Sequence, residues 1–379
     1  MLINQQSQYD YKVKGQCVSN IISIIREELK NFSPYSSARN EASGGQIWLN
    51  ANESPWRENQ DAHFEDLNRY PEQQPRELLE ALAGFYKISQ DELVVTRGSD
   101  EGIDLLFRLF CRSGKDKVII CNPTFGMYEV AARLQGIEII QVPLVGKEFQ
   151  LNKIEILANL KDNVKLVFLC SPNNPTGTLL NTSDIIELCE ATKRQCIIVV
   201  DEAYIEFSTQ ESLSRKINQY NNLVVLRTLS KAFGLAGIRM GCLIANQEIT
   251  KWVRKILPPY PLPNPSIEIA LKKLEPNNII QMLDRIKTIQ VERAILQSRL
   301  ENLSIIKSVW PSEANFFLIE LVRNIDNDLA ASGIVLRNMG KRLNLKNVYR
   351  ISIGTPEENN TLITFLQFIQ IYRFHLKIR

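Results

Sequence analysis

The sequence of 379 residues predicts an α/β fold, with a mostly parallel central sheet in a large domain and a smaller α+β domain beside it. Six short apolar runs between positions 93 and 245 alternate with segments of helical periodicity. Their apolar residues are continuous rather than alternating, which is typical of strands buried on both faces of a parallel sheet. A proline-rich stretch at 258–265 then separates this pattern from long helices and a few further strands.

These patterns predict an N-terminal segment at 1–60 that belongs to the small domain, a large domain at 61–265, and a small C-terminal domain at 266–379. An amphipathic helix is expected at Ser19–Lys30. The six strands expected in the large domain are Leu93–Thr96, Lys117–Cys121, Lys165–Cys170, Ile197–Val200, Leu223–Leu226 and Gly241–Ala245. The C-terminal part predicts strands at Asn315–Glu320, Gly333–Arg337 and Val348–Ile353, and helices at 266–273, 279–303 and 357–373.

The composition narrows the classes of function. A formal net charge of +3 gives no electrostatic reason to expect a nucleic-acid partner, and no apolar run is long enough to span a bilayer, so a cytoplasmic location is the default. The seven cysteines are odd in number, contain no Cys-x-x-Cys and mostly lie in apolar runs, which favours reduced core residues. Two histidines argue against a histidine-based triad or a multi-histidine metal site.

The stretch from Thr228 to Gly241 carries the strongest chemical signal, because Ser230 and Lys231 follow a predicted buried strand. Arg239 comes eight positions after Lys231, beyond two glycines. A lysine beside a cationic residue in a partly desolvated pocket shifts towards its neutral form, and a neutral amine can form a Schiff base. This chemistry suits a pyridoxal phosphate site, although a Ser-Lys pair before a glycine-rich loop is also compatible with a solvated turn.

Three more polar groups follow predicted strands. Gly98, Ser99 and Asp100 lead from a strand into a helix, whose free N–H groups favour a phosphate, although an ordinary helix cap has the same sequence. Asn174 lies in a stiff Ser-Pro-Asn-Asn-Pro loop that turn chemistry alone also explains. Asp201 comes directly after a predicted buried strand and can pair with a protonated pyridine nitrogen or cap a helix, and Tyr204 follows three residues later.

Taken in this order, the motifs resemble the fold-type I pyridoxal-phosphate aminotransferases, and within them the histidinol-phosphate aminotransferase subfamily. The resemblance runs from about position 35 to position 355 and so covers nearly the whole chain. The motifs that carry it are SPYSSAR (33–39), WLNANE (48–53), NRYPE (68–72), RGSDEGIDLL (97–106), SPNNPTG (171–177), DEAYIEF (201–207), RTLSKAFGLAGIRMG (227–241) and PYPL (259–262).

The resemblance implies three catalytic residues: Lys231 as the residue that holds the cofactor and moves the proton, Asp201 on the pyridine nitrogen, and Tyr204 on the phenolic oxygen. It implies that pyridoxal 5'-phosphate is bound by Gly98, Ser99, Asp100, Phe125, Asn174, Asp201, Tyr204, Thr228, Ser230, Lys231, Arg239 and Tyr70. Phe125 falls where the ring stacked on the cofactor lies, a position at which some relatives have tyrosine. No metal is implied.

For the substrate, the resemblance implies a pocket formed by Tyr35, Asn174, Arg337 and Arg350. The implied reaction interconverts L-histidinol phosphate and 2-oxoglutarate with imidazole acetol phosphate and L-glutamate, in L-histidine biosynthesis. It also implies a homodimer in which Tyr70 reaches the active site of the partner subunit. Three alternatives share these motifs: an aromatic amino-acid aminotransferase, a threonine-phosphate decarboxylase and a non-catalytic regulator that binds the same cofactor.

Overall fold

A computed structural model describes residues 21–36, 47–56, 67–161 and 163–372. Its larger sheet has seven strands in the order β1-β7-β6-β5-β4-β2-β3. All neighbours in it are parallel except β7, which runs antiparallel to both β1 and β6. The strands are β1 Leu93–Thr96, β2 Lys117–Ile120, β3 Glu138–Gln141, β4 Val164–Cys170, β5 Ile197–Asp201, β6 Leu223–Thr228 and β7 Gly241–Ala245.

The central strands are buried on both faces, as their continuous apolar runs predict. In β5, Ile198 and Val200 belong to one core cluster, whereas Ile197 and Val199 belong to a second cluster on the opposite face. Helices cover both clusters, so the α/β class with a mostly parallel sheet is confirmed. The helices along this part of the chain are α1 Glu27–Lys30, α2 Arg76–Tyr86, α3 Ser99–Phe110, α4 Met127–Leu134, α5 Lys153–Asn159, α6 Thr182–Ala191, α7 Gln247–Ile256 and α8 Asn264–Lys273.

A second sheet has four antiparallel strands in the order β10-β11-β9-β8. Side chains of two long helices, α9 and α12, pack against it in a separate core cluster. Its strands are β8 Ile306–Val309, β9 Phe316–Leu321, β10 Arg337–Asn338 and β11 Val348–Ser352. The helices around it are α9 Pro276–Glu301, α10 Asp326–Ser332, α11 Gly340–Leu343 and α12 Pro356–Tyr372.

The structure differs from the sequence-based expectation in two places that matter for the site. The predicted strand Gly333–Arg337 is wrong over most of its length, because Gly333 ends α10 with a φ of 73° and only Arg337–Asn338 pairs with β11. The predicted helix Ser19–Lys30 is broken, within its described part, into a 3-10 helix at Ile21–Ile24 and the short α1. Ile21, Ile24 and Ile25 pack in a core cluster of the seven-stranded sheet.

The domain boundaries at 60 and 265 stay a prediction. The described cysteines are six free, buried thiols, as expected for core residues, and Cys17 lies outside the described residues. Across the described residues, no helix combines the length and apolarity needed to cross a membrane.

Candidate active site

A cavity of about 350 Å³ lies beyond the carboxyl ends of the parallel strands, where ligands bind in open α/β sheets. The loops after β1, β4, β5 and β6 line it from one side, and β10, β11 and α11 line it from the other. It brings together most of the residues that the sequence analysis singled out. They are Ser99, Asp100, Phe125, Asn174, Asp201, Tyr204, Thr228, Ser230, Lys231, Arg239, Arg337 and Arg350.

Lys231 stands in the loop that leaves β6, and its side chain is accessible from the cavity. The N–H of Leu229 donates to the carbonyl of Met240, and the N–H of Gly234 donates to the carbonyl of Lys231, so both ends of this loop are fixed. Partial burial is the main cause that lowers the pKa of Lys231, and the charge of Arg350 lowers it further. The amine is therefore shifted towards the neutral form that nucleophilic chemistry needs.

Asp201 is the last residue of β5 and is fully buried. The hydroxyl of Tyr128 donates to its Oδ2 at 2.7 Å, and the backbone N–H of Ala203 donates to its Oδ1 at 3.1 Å. Burial raises the pKa of Asp201 to about 6, against these two hydrogen bonds, which lower it. A carboxylate held this way at a cavity wall favours a cationic ligand atom, since a buried charge without a partner is costly.

The start of α3 forms an anion site. The first N–H groups of α3 have no partner within the helix, as in any helix. Gly98, with a φ of 76°, precedes the helix and has no side chain to cap them, so they are available to an anion. Arg239 reaches this point: its guanidinium donates to Asp100 at 3.3 Å and to Ser230 at 3.4 Å. A Cβ added at Gly98 would lie 2.7 Å from Nη2 of Arg239, so the close approach requires glycine. These groups fit a phosphate monoester.

Asn174, Tyr204 and Arg350 form a connected group on the cavity wall. Nη1 of Arg350 donates to Oδ1 of Asn174 at 2.5 Å, and Nδ2 of Asn174 donates to the Tyr204 hydroxyl at 3.4 Å. Nζ of Lys231 lies 5.6 Å from the centre of the Tyr204 ring. Asn174 and Tyr204 are buried, and burial raises the pKa of Tyr204, so its hydroxyl stays protonated and can donate. The three residues present fixed donors beside Lys231.

Three of the expected residues, Gly98, Tyr35 and Tyr70, do not line this cavity within the chain. The side chain of Tyr35 is 70% exposed, and that of Tyr70 is 47% exposed and stacks on Tyr260 with ring centres 4.2 Å apart. Phe125 does line the cavity and meets the Tyr128 ring edge to face at 5.7 Å. Gly98 immediately precedes Ser99, which does line the cavity, and its missing side chain leaves room for Arg239.

Two functional side chains escaped the sequence analysis. Tyr128, in the first turn of α4, is fully buried and holds Asp201, although three residues after Phe125 it reads as one more core aromatic. Arg342, in α11, lines the cavity together with Arg337 and Arg350, and its sequence context of Gly-Lys-Arg resembles any solvated turn. Spacing to Phe125 could have drawn attention to Tyr128, but no sequence signal points to Arg342.

The fold and this cavity place the chain in the class of pyridoxal-phosphate-dependent transferases. Residues 45–366 match the family described as aminotransferase class I and II, which covers most of the sequence, and the chain belongs to that family. Members of this family depend on pyridoxal phosphate, and the residues gathered in the cavity fit that cofactor: a phosphate site at a helix start, a buried carboxylate and an accessible lysine.

Relatives of known name agree with this assignment. The chain is 48% identical to the histidinol-phosphate aminotransferase of Francisella philomiragia, over 91% of this chain and 94% of the relative. It is 41% identical to the enzyme of the same name from Escherichia coli, over 93% of this chain and 99% of the relative. Its fold resembles the crystal structure of the histidinol-phosphate aminotransferase from Clostridium acetobutylicum, with a TM-score of 0.72, 26% identity, and coverage of 80% of this chain and 91% of that one.

Proposed function

We propose that the chain is a histidinol-phosphate aminotransferase that interconverts L-histidinol phosphate and 2-oxoglutarate with imidazole acetol phosphate and L-glutamate, in L-histidine biosynthesis. The names of relatives at 41–48% identity support this choice of substrates. The observation that carries it is a single cavity in which Lys231 faces a wall with three arginines, Arg337, Arg342 and Arg350. Such a wall suits a substrate that carries a phosphate.

The residues that would hold pyridoxal phosphate divide by chemistry. Gly98 and Ser99 at the start of α3, with Thr228, Ser230 and Arg239, would bind its phosphate. Asp201 would face the ring nitrogen, Asn174 and Tyr204 the phenolic oxygen, and Phe125 the ring face. When bound, the cofactor supplies an electron-withdrawing ring that carries the amino group and stabilises negative charge on the neighbouring carbon.

Within that arrangement, the chain's own residues move the proton and fix the substrate. Nζ of Lys231, whose pKa is lowered by burial and by Arg350, would take the proton from the substrate carbon that bears the amine and deliver it to the carbon on the cofactor side of the nitrogen. Tyr128 keeps Asp201 oriented through its 2.7 Å hydrogen bond. The hydroxyl of Tyr204 and the amide of Asn174 stay fixed by their mutual contact.

Arg350 and Arg337 would allow one subsite to bind two substrates that carry different anionic groups. Glutamate presents a carboxylate where histidinol phosphate presents its phosphate, so one subsite has to accept both anions. A planar, permanently charged guanidinium binds either group through paired N–H donors. Arg350 is anchored to Asn174, whereas Arg337 is exposed on its two-residue strand and can adjust to the larger anion. Tyr35, which is exposed and does not line the cavity of its own chain, would have to turn towards it to add a hydroxyl to the same subsite.

We further propose a cytoplasmic homodimer in which Tyr70 completes the partner's active site. Tyr70 supports this because it is about half exposed and does not line the cavity of its own chain. Subunit mixing tests the idea directly. Tyr70→Ala and Lys231→Ala are each expected to be nearly inactive, and a mixture of the two should regain activity, because one site of each mixed dimer has both residues intact. Without recovery in dimers shown to be mixed, the shared site is excluded.

The function itself is tested by adding L-histidinol phosphate, and separately L-phenylalanine, to the yellow purified protein and following the loss of colour. Rapid loss with histidinol phosphate, reversed by 2-oxoglutarate, is the expected result. Faster loss with phenylalanine would assign the protein to the aromatic aminotransferases. Release of carbon dioxide from threonine phosphate would identify a decarboxylase, and a coloured protein that none of these compounds bleaches would indicate a regulator.

A further inference from the structure

The short helix α11 places a third guanidinium at the substrate side of the cavity. Arg342 lines the cavity beside Arg337 and Arg350, which stand on β10 and β11 of the same sheet. Among the described residues, none of the three arginines has a carboxylate within ion-pair distance, in contrast to Arg239, which pairs with Asp100. The positive charges of these three arginines are therefore available to an anionic ligand in the cavity.

Arg342 is held in place by the loop on the opposite side of the cavity. Its Nη2 donates to the carbonyl of Thr124 at 2.5 Å, and the guanidinium lies over Gly126. A Cβ added at Gly126 would lie 2.6 Å from Nη2 and 3.1 Å from Nη1, so this packing depends on the missing side chain. One hydrogen bond to a carbonyl uses one of the five N–H donors of a guanidinium and none of its charge. Within the described part of the chain, its other donors make no hydrogen bond, so they can bind a ligand.

The three cations also disfavour one another. Partial burial lowers the pKa of Arg342, and the charges of Arg337 and Arg350 lower it further, while Glu129 acts in the opposite sense. Arg337 likewise lowers the pKa of Arg350. Repulsion of this kind is relieved most by the ligand that brings the most negative charge. A phosphate monoester carries close to two charges and three terminal oxygens, whereas a carboxylate carries one charge and two oxygens.

We propose that Arg342 is a specificity-determining residue, a third guanidinium that binds the phosphate of the substrate and makes the site favour a phosphorylated amine over a carboxylate. This role rests on the proposed function for the identity of the phosphorylated substrate. Two guanidiniums are enough to pair with both oxygens of a carboxylate. A phosphate has a third oxygen and a second charge, and Arg342 supplies a further cationic donor for them from the short helix while Thr124 holds it in position.

The test compares Arg342→Gln with Lys341→Gln, which removes one positive charge from the neighbouring residue that does not line the cavity. In single-turnover reactions, Arg342→Gln should lower kcat/KM for L-histidinol phosphate by about tenfold or more, mainly through KM, because it removes a charge-assisted hydrogen bond. The reaction with L-glutamate should change much less. The Ki for inhibition by inorganic phosphate should rise in Arg342→Gln, and Lys341→Gln should behave as wild type in every assay.

Gly126→Ala provides a second variant that leaves the arginine in the sequence. The backbone at Gly126 is helical, with φ −72° and ψ −14°, so alanine is tolerated there, but its Cβ would displace the guanidinium. It should reproduce the loss of selectivity, and adding it to Arg342→Gln should cause little further loss. Equal losses on both substrates, or an unchanged Ki for phosphate, would overturn the proposal. If the wild-type protein did not react with histidinol phosphate, the proposed function would be refuted instead. The Ki for inorganic phosphate, compared between wild type and Arg342→Gln, would still show whether Arg342 binds phosphate.

Discussion

Replacing Asp201 with asparagine should stabilise the cofactor-free protein at neutral pH, although it removes a residue of the active site. The fold buries this carboxylate completely, and no basic side chain in the described residues lies within ion-pair distance of it. Its pKa is raised from 3.8 to about 6, chiefly by burial. A shift of roughly two units corresponds to about 3 kcal/mol of preference for the neutral form in the folded state.

The direction in which stability changes with pH follows from the direction of the pKa shift of Asp201. Below about pH 3, the carboxyl is protonated in both the folded and the unfolded chain, so its ionisation does not affect stability. As the pH rises from the unfolded value of 3.8 to the folded pKa of about 6, the unfolded chain is ionised while the folded chain still holds its proton, so the folded state loses stability across this range and loses no more above it. Asparagine is neutral throughout. Titration should therefore favour the variant by up to about 3 kcal/mol, gained mostly between pH 4 and pH 6. An imperfect hydrogen bond costs it about 1 kcal/mol at every pH, so it should be slightly less stable than wild type below pH 4 and more stable by about 2 kcal/mol at pH 8.

Urea unfolding of cofactor-free wild type and Asp201→Asn at pH 4.5, 6 and 8 measures this difference. The loaded proteins should rank in the opposite order, because the asparagine variant lacks the negative charge that favours a protonated ring nitrogen, and it should release the cofactor more readily. A difference in unfolding free energy that is the same at all three pH values, or that favours wild type at pH 8, would refute the reasoning.

Three further substitutions test neighbouring contacts. Tyr128→Phe removes the donor to Asp201, so it should raise the carboxyl pKa further and move the pH dependence of stability upwards by about one unit, measured by the same unfolding series. Lys231→Ala should lower turnover by about a thousandfold and abolish the yellow colour of the lysine-bound cofactor, while dialysis shows that cofactor still binds. Arg227→Met should cost about 3–5 kcal/mol in unfolding free energy, since Glu202 and Glu206 lose their buried cation, and the loss should shrink at low pH as both carboxylates take up protons.

The sequence predicts the larger sheet well because burial on both faces produces a continuous apolar run. Leu93–Thr96 and Gly241–Ala245 match their strands to the residue. The strand β3, Glu138–Gln141, was missed because it lies at the sheet edge, where charged and amide residues flank only two isoleucines. At 333–337, an apolar run led to the opposite error: Ile334 and Leu336 are only partly buried, Val335 is 93% exposed, and the run pairs with a neighbouring strand only at its last residue.

The sequence predicts the functional side chains that lie at or just after the end of a buried strand. Asp201 and Lys231 each follow a buried strand, and parallel strands end at the same edge of the sheet, so their convergence follows from the topology. Tyr128 and Arg342 lie outside this rule. Tyr128 reaches Asp201 from a helix 73 positions earlier, and Arg342 reaches Thr124 from 218 positions later. Contacts of this kind are set by packing between distant elements, and no local pattern encodes them.

The distribution of charge is also set by the fold and cannot be read from the composition. Among the described residues, the cavity is lined by five basic side chains and two carboxylates, an excess equal to the net charge of +3 for the entire sequence. The remaining basic and acidic residues are therefore equal in number. Even with Lys231 uncharged, four guanidiniums face two carboxylates in a partly enclosed space, where charges are screened less than at an open surface. A nearly neutral composition thus conceals a concentrated positive field, which suits a site that has to hold a phosphorylated cofactor and a phosphorylated substrate together.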